Sequence, residues 1–506
     1  MSDLFPNIEF PEIFIGFVAP IGVNIDDVIE CYSSYFKENN YRVVNIRITK
    51  SFKLLSRQII PDQELSDKTL EEKYRTYISY GNQLRKSFEM PEVLAYLTVS
   101  EIARKRDELY KKDKAALKDA YSKTVFLIRQ FKRNEEIEFM RSIYGRAFIQ
   151  VSVYSRRGAR VDYLSRKMAN SINDSGITKY RSSAEELVSI DENEKAEYGQ
   201  KVGDIFHNAD VIINMDMEEM TYSEQVSRFC ELLFSANNIS PTQIEYGMYI
   251  ANSVALRSLD LSRQVGAAIF SPEGEIVAMG SNEVPKAGGG TYWAYDEEKD
   301  DRDYKRGIDA NYSRKKEVVV DLISTIGAES AESIFASKAV QKSQIMDALE
   351  YGRVVHAEMS AITDAARLGR STKDMILYCT TFPCHMCEKH IIASGIAKVY
   401  FLEPYPKSLS TNLHNDSISF EGEDRGKYQS YPGVSFLHFY GITPRMYRIL
   451  FSRGRRKDNE GQYIKYINNK KRPLINIKSP IYVENEQIVL DSLMKLLSAF
   501  FENEGK

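Results

Sequence analysis

The sequence predicts an α/β protein of two domains, each built around its own sheet. Three observations carry that expectation. The chain has 506 residues, too many for one ordinary core. Its first half alternates short apolar runs with charged, helix-spaced stretches, the order of βαβ units on a parallel sheet. Its second half opens with a helix and a pair of strands, and later runs helix, strand, turn and helix from His356 to His390.

The elements follow in order. "EIFIGFVAP" is a short apolar strand ending in turn residues, "IDDVIECYSSYFKENN" has helical spacing, and "YRVVNIRIT" returns as a strand. "KTVFLIRQF", "RAFIQVSVY" and "ADVIINMD" are further buried-strand candidates. The charged stretch 101–123 reads as a solvated helix rather than a nucleic-acid arm. A boundary is expected near residue 240, after "FSANNIS". The second domain is expected over 241–460, beginning with "IEYGMYIANSVALRSLD" as a helix. "QVGAAIFSPEGEIVAMGSN" then gives two strands around a Pro-Glu-Gly turn. An insertion is expected over 284–353, and 461–506 reads as a C-terminal extension.

Composition narrows the function classes. Hydrophobic residues make up 43% and charged residues 27%, a soluble globular balance. A formal net charge of -3 gives no general electrostatic grip on nucleic acid. The first residues lack the basic start of a signal peptide, and no apolar run reaches the roughly 18–20 residues of a membrane span. Five cysteines, two of them in a C-x-x-C, fit a reducing compartment and metal binding. A cytoplasmic protein with no membrane partner is expected.

The chemistry concentrates in "HAEMSAITDAARLGRSTKDMILYCTTFPCHMCEKH". His356 and Glu358 open one helix, for which Gly369 is a stop signal. Cys384 and Cys387 straddle a turn at Pro383 and the first turn of another helix, whose amino terminus favours thiolates. His356, Cys384 and Cys387 make a three-ligand set suited to zinc with a free fourth position, which is the catalytic arrangement. Zinc there lowers the pKa of its water toward ~7, and Glu358 is free to move protons. Cys379 reads as a core thiol and His385 as a surface group. His390 is the rival ligand, and its binding would close a structural Cys2His2 site.

This constellation, H-A-E followed by P-C-x-x-C, resembles the zinc-dependent cytidine/deoxycytidylate deaminases over roughly residues 241–450. The resemblance implies that Glu358 is the catalytic acid/base and that the other three bind zinc. It also implies that Asn282 contacts substrate, with Tyr405, Lys407 and Ser408 of "EPYPKS" as weaker candidates. The first half resembles a P-loop kinase-like domain, so the implied fold pairs a parallel kinase-like sheet with a cytidine deaminase-like α/β/α domain. This layout, with "KAGGGTYWAYDEEKDDRDYKRG" and "YGITPRMYRILF", is similar to the bacterial anti-phage dCTP/dCMP deaminases. That implies deamination of a deoxycytidine nucleotide, depletion of dCTP, a homo-oligomer and, for some members, an inhibitory small RNA.

The P-loop pattern is degenerate. Gly16 and Gly22 are too far apart by one residue, and Val23 and Asn24 replace the Lys and Ser/Thr that serve phosphate and Mg²⁺. Arg129 stands where an acidic residue is expected at a strand end. The domain reads as regulatory or structural, with nucleotide binding at Gly16 and Gly22 as the alternative. Asp296, Asp301 and Asp303 read as a solvated loop, or else as a site where Mg²⁺ meets a nucleotide. Trp293 reads as a core anchor or a stacking wall. Arg263 reads as a surface residue or a phosphate contact. Two other functions stay open: a deaminase of RNA or DNA bases, which needs a basic aromatic channel, and a non-catalytic nucleotide-binding protein with structural zinc.

Overall fold

The structure is a computed structural model that describes residues 8–113, 120–129, 131–192, 199–296, 299–327, 330–404, 413–421, 424–466, 471–475 and 477–504. The protein is mixed α/β, with two sheets dominated by parallel pairs. The chain divides into two compact units: Met1–Ser240 with Tyr440–Lys506, and Pro241–Phe439.

The first unit holds β1 (Ile13–Val18), β2 (Arg42–Arg47), β3 (Thr124–Arg129), β4 (Phe148–Tyr154) and β5 (Val211–Asn214). With the late strand β12 (Gly441–Ile442), the order across the sheet is β12-β5-β4-β1-β3-β2. All pairs are parallel except β12 with β5. Every residue of β1 is buried, as a central parallel strand covered on both faces requires. Helices such as Ile25–Glu38 and Arg157–Ser171 supply the covers by burying one stripe each.

Sequence periodicity extends the second domain to residue 460, whereas the structure returns the chain to the first unit at Tyr440. The reason is pairing. Gly441 and Ile442 extend the first sheet beside Ile212 and Val211, and the Thr443 hydroxyl donates to Ala209 O at 2.7 Å. The expected extension, 461–506, belongs there too. Its helix Tyr482–Glu504 brings Glu486 to Arg106, whose guanidinium donates to Glu486 Oε1 at 3.0 Å and to Glu12 Oε2 at 2.8 Å. Arg106 lies in the stretch expected to be solvated. Helix Val93–Lys112 does form, but it buries Arg106 between two carboxylates.

The second unit is a sheet in the order β10-β11-β9-β8-β6-β7. Its strands are β6 (Gly266–Phe270), β7 (Ile276–Ser281), β8 (Ile376–Thr381), β9 (Lys398–Glu403), β10 (Ile418–Phe420) and β11 (Val434–His438). The hairpin β6–β7 and the pair β6–β8 are antiparallel, and the rest are parallel. The unit begins with a capping box: Thr242 Oγ1 accepts from Glu245 N at 3.2 Å, and Glu245 Oε2 accepts from Thr242 N at 2.8 Å. Helix Ala357–Arg367 packs on the sheet through Ala357, Ala361 and Ala365, spaced one turn apart and all buried. Gly280 in β7 allows this approach, since a Cβ there would stand 2.3 Å from Ala357 O. The segment 284–353 leaves and re-enters the sheet at one point. Glu283 and Val355 form a two-way bridge, N to O, at 3.2 and 3.1 Å. No helix among the described residues is long and apolar enough to cross a membrane.

Candidate metal centre

Two helix starts meet over the second sheet. His356 caps helix Ala357–Arg367 and Cys384 caps helix His385–Ala393, both with extended backbone. Cys387 follows in the first turn of the second helix, its N–H donating to Cys384 O at 2.8 Å. Tetrahedral zinc, with Zn–S near ~2.3 Å and Zn–N near ~2.0 Å, sets its donors roughly 3.4–3.8 Å apart. His356 Nδ1 lies 3.3 Å from Cys384 Sγ and 3.4 Å from Cys387 Sγ, and all three donor atoms fall within 4.8 Å of one another. One nitrogen and two sulfurs at this spacing fit zinc.

The electrostatics suit a cation as well. Hydrogen bonding from the Cys387 thiol, with help from His356, lowers Cys384 to about 4. The same hydrogen bond and burial push Cys387 up. Burial pulls His356 down, but its hydrogen bond to Cys384 and the negative charges of Cys384, Glu358 and Asp260 together outweigh that and raise it. Two helix amino termini add their positive ends at the same place.

Glu358 sits in the first turn behind His356 and is buried. Its Oε2 accepts from Cys387 Sγ at 3.4 Å. Burial holds this carboxyl above the usual range, so it keeps a proton more readily than a surface glutamate. His390 is elsewhere, exposed in the last turn of its helix. His385 Nε2 faces Glu350 Oε1 at 3.2 Å. Cys379 is fully buried in β8 and packs in the core beneath the site.

A cleft of about 160 Å³ opens beside the trio and is lined by His356, Glu358 and Cys384. Asn282 and Arg263 also line it. Asn282 braces the neighbouring loop: its Oδ1 accepts from Val265 N at 2.7 Å, and its Nδ2 donates to Arg263 O at 2.8 Å. Arg263 reaches Glu403 at 3.0 Å. Tyr405, Lys407 and Ser408 lie outside the described residues.

Sequence reasoning missed the part the insertion plays. Asp303, Asn311 and Arg353 line the same cleft. Arg353 stands three residues before His356 in the chain, a nearness that signals it. Asn311 carries no local signal. The acidic cluster is held by cations instead of forming an open carboxylate site. Asp296 meets Lys286 at 2.7 Å, Asp303 meets Arg353 at 3.1 Å, and Asp301 pairs with Arg306. Trp293 is not a core anchor, being 47% exposed, and the Arg257 guanidinium covers its ring at 3.7 Å.

In the first unit, Gly16 is no part of a turn. It stands inside β1, where a Cβ would meet the Phe148 ring at 2.6 Å and the Phe131 ring at 2.7 Å. Gly22 does turn, with φ +91, and it lets Arg160 O approach to 2.6 Å of where a Cβ would be. The N–H of Ile21 in that loop donates to Asp191 Oδ2 at 2.6 Å, so a carboxylate of the protein already occupies the donor.

Comparison with known proteins agrees with the geometry. Residues 241–403 match the family described as cytidine and deoxycytidylate deaminase zinc-binding region. A probable deoxycytidylate deaminase of Drosophila melanogaster is 30% identical over 161 residues, 31% of this chain and 58% of that protein. ComE operon protein 2 of Bacillus subtilis (strain 168) is 43% identical over 53 residues, 10% of this chain and 28% of that protein. The chain thus spans less than two thirds of the length of these curated relatives. Among solved structures, the apo dCMP deaminase of cyanophage S-TIM5 aligns at 18% identity with a TM-score of 0.21, covering 40% of this chain and 99% of that one. Residues 241–403 of the second unit are thus similar to a zinc-binding region of the cytidine and deoxycytidylate deaminase kind, and His356, Cys384 and Cys387, a group that could hold a metal ion, lie within that match.

Proposed function

We propose that the protein is a zinc-dependent hydrolase that deaminates deoxycytidine nucleotides, dCTP or dCMP, to the deoxyuridine nucleotides. The observation that carries this reading is Glu358, a buried carboxyl that lines a cleft and lies 3.4 Å from Cys387. A zinc that only holds a fold has no use for an acid/base in that position.

His356, Cys384 and Cys387 are the ligands in this reading. Bound zinc supplies an acidified water as the nucleophile. Glu358 accepts a proton from the attacking water and delivers it to ring N3 as the C4–O bond forms. The proton of the new C4 hydroxyl then passes through Glu358 to the exocyclic amine, the C4=O bond forms as the C4–N bond breaks, and ammonia leaves. Asn282 keeps the loop 263–265 against the cleft, and Arg263 and Arg353 are the cations within reach of substrate phosphate. Tyr405, Lys407 and Ser408 remain candidates for the same end of the substrate, and Mg²⁺ accompanies a triphosphate substrate as its counter-ion.

The biological role in this reading is antiviral: the enzyme depletes dCTP in the cytoplasm of a phage-infected cell. It works as a homo-oligomer, restrained by a small RNA. The first unit is a P-loop kinase-like domain that has lost turnover. Its parallel sheet supports this, and so does a post-β1 loop whose Ile21 N–H is taken by Asp191.

A nucleotide panel on the purified full chain tests the activity. Ammonia release and product mass are measured for dCTP, dCMP, CTP, CMP and short single-stranded DNA and RNA. Release from a deoxycytidine nucleotide is expected. Release from the oligonucleotides alone would move the protein to nucleic-acid editing.

A further inference from the structure

We propose that the buried pair Glu283 and Arg302 is a positioning device of the second unit. It holds Arg353 at the cleft so that the guanidinium meets the phosphate of the substrate, a role that rests on the nucleotide substrate proposed for this cleft. Neither member of the pair lines the cleft itself. Both side chains are almost wholly enclosed, Arg302 at 5% exposure and Glu283 at 2%. A buried ion pair gains little stability over apolar packing of the same volume, and specifying one arrangement of the chain is its best-attested use.

The contacts close a ring around Arg353. Glu283 Oε2 accepts from Arg302 Nη1 at 3.2 Å, across 19 residues of chain, and also from Leu259 N at 3.0 Å. Arg302 forks onto Asp300, from Nε at 2.8 Å and from Nη2 at 2.7 Å, so its guanidinium has one orientation. Its neighbour Asp303 accepts from Arg353 Nη1 at 3.1 Å with one oxygen and from Ala310 N at 3.0 Å with the other. Two residues after Arg353, Val355 pairs with the backbone of Glu283 at 3.2 and 3.1 Å, which returns the ring to its start. Arg353 is thereby held at its side chain through Arg302 and at its backbone through Glu283. His356 follows three residues on, so the same ring sets how this cation stands to the metal-binding trio.

Arg353 keeps donors for a ligand. Its Nη1 donates to Asp301 O at 2.9 Å and to Asp303, whereas Nη2 reaches Asp301 Oδ2 only at 3.5 Å. Nε has no partner among the described residues. A guanidinium carries five N–H donors, and an edge of two is the fork that takes two phosphate oxygens at once. The Arg353 side chain is 28% exposed and lines the cleft that Glu358 lines. Arg263, the other arginine there, is paired with Glu403 at 3.0 Å. A substrate with a phosphate gains from Arg353, and deoxycytidine, which has none, does not. The pair Glu283–Arg302 thus controls affinity for the nucleotide and leaves affinity for the nucleoside alone.

The test is equilibrium binding of dCMP, dCTP and deoxycytidine to the zinc-loaded full chain, with turnover arrested by Glu358→Gln. Into that chain go Glu283→Gln, Arg302→Met and Arg353→Met, and each of the first two combined with the third. Glu283→Gln keeps the side chain's shape and an oxygen for Leu259 N, so it folds even where Arg302→Met does not; thermal unfolding and zinc content check both. The Kd of the better-bound nucleotide is expected to rise about tenfold in Glu283→Gln, in Arg302→Met and in Arg353→Met, while that of deoxycytidine stays within about twofold. Combination with Arg353→Met should add nothing further, because residues that act through one another are not additive. Three results would overturn the proposal: nucleotide affinity unchanged in Glu283→Gln, equal losses for nucleotide and deoxycytidine, or losses that add to that of Arg353→Met. Ammonia release by the chain with Glu358 intact reports separately on the reaction. A chain whose nucleotide binding follows these variants but which releases no ammonia would keep the positioning role and remove the deaminase reading.

Discussion

The carboxylate of Glu358 and the thiol of Cys387 lie 3.4 Å apart, both side chains buried. The proposed acid/base thus sits against one member of the candidate metal-binding trio. That geometry follows from two local features. Glu358 is two residues past a histidine that caps one helix, and Cys387 is in the first turn of a helix whose cap is Cys384. A carboxyl held in this way is placed to move protons over a short path, which is what the proposed acid/base role needs.

Zinc content should follow the trio and not the neighbouring histidine. Purified parent protein is expected to hold one zinc per chain by elemental analysis. His356→Ala, Cys384→Ala and Cys387→Ala should each lose it, because two donors seldom retain the ion. His390→Ala should keep it, since that ring is exposed at the far end of its helix. A His390 variant that folds but arrives without metal would return the site to a closed structural zinc.

Arg106 should be the costliest single charge to remove. It bridges Glu12 and Glu486, at 2.8 and 3.0 Å, and all three are buried. Arg106→Ala strands two carboxylates, and breaking a buried pair of this kind costs about 3–5 kcal/mol. Denaturant unfolding should show a loss of that size for the first unit. Arg106→Met combined with Glu12→Gln and Glu486→Gln should lose much less. An Arg106→Ala protein as stable as the parent would mean that the helix Tyr482–Glu504 is anchored otherwise.

The first unit should not turn over ATP or GTP. In the proposed P-loop reading, Val23 and Asn24 stand where residues serving the phosphates and Mg²⁺ are expected, and the Ile21 N–H is held by Asp191 at 2.6 Å. Phosphate release with Mg²⁺ present is expected to stay well below ~1 s⁻¹, the low end of ordinary enzyme turnover. Faster release that disappears in Gly22→Ala would contradict this.

Legibility in the sequence followed distance along the chain. The convergence of His356, Cys384 and Cys387 is readable because each stands at a helix start signalled by its neighbours, Glu358 on one side and Pro383 on the other. The runs that became β1 to β5 are readable as continuous apolar stretches. The return to the first unit is not, because β12 has two residues and carries no period. Arg106 looked solvated because its partners, Glu12 and Glu486, are remote in the chain. Trp293 suggested a core by residue type alone, whereas Arg257 covers it at the surface. The cleft wall formed by Asp303, Asn311 and Arg353 joins separate segments that no local pattern links.

Glu358→Gln tests the central claim most directly. The substitution keeps the shape of the side chain and removes its ability to carry a proton. Metal content, thermal unfolding and the rate of ammonia release from the best deoxycytidine nucleotide are measured on the same preparations. General acid/base help is worth about 10²–10⁴-fold, and one residue here serves several transfers, so a loss at the upper end or beyond is expected. Zinc should stay near one per chain and the unfolding temperature near that of the parent. A Glu358→Gln protein that keeps its zinc and deaminates within about tenfold of the parent would contradict the account.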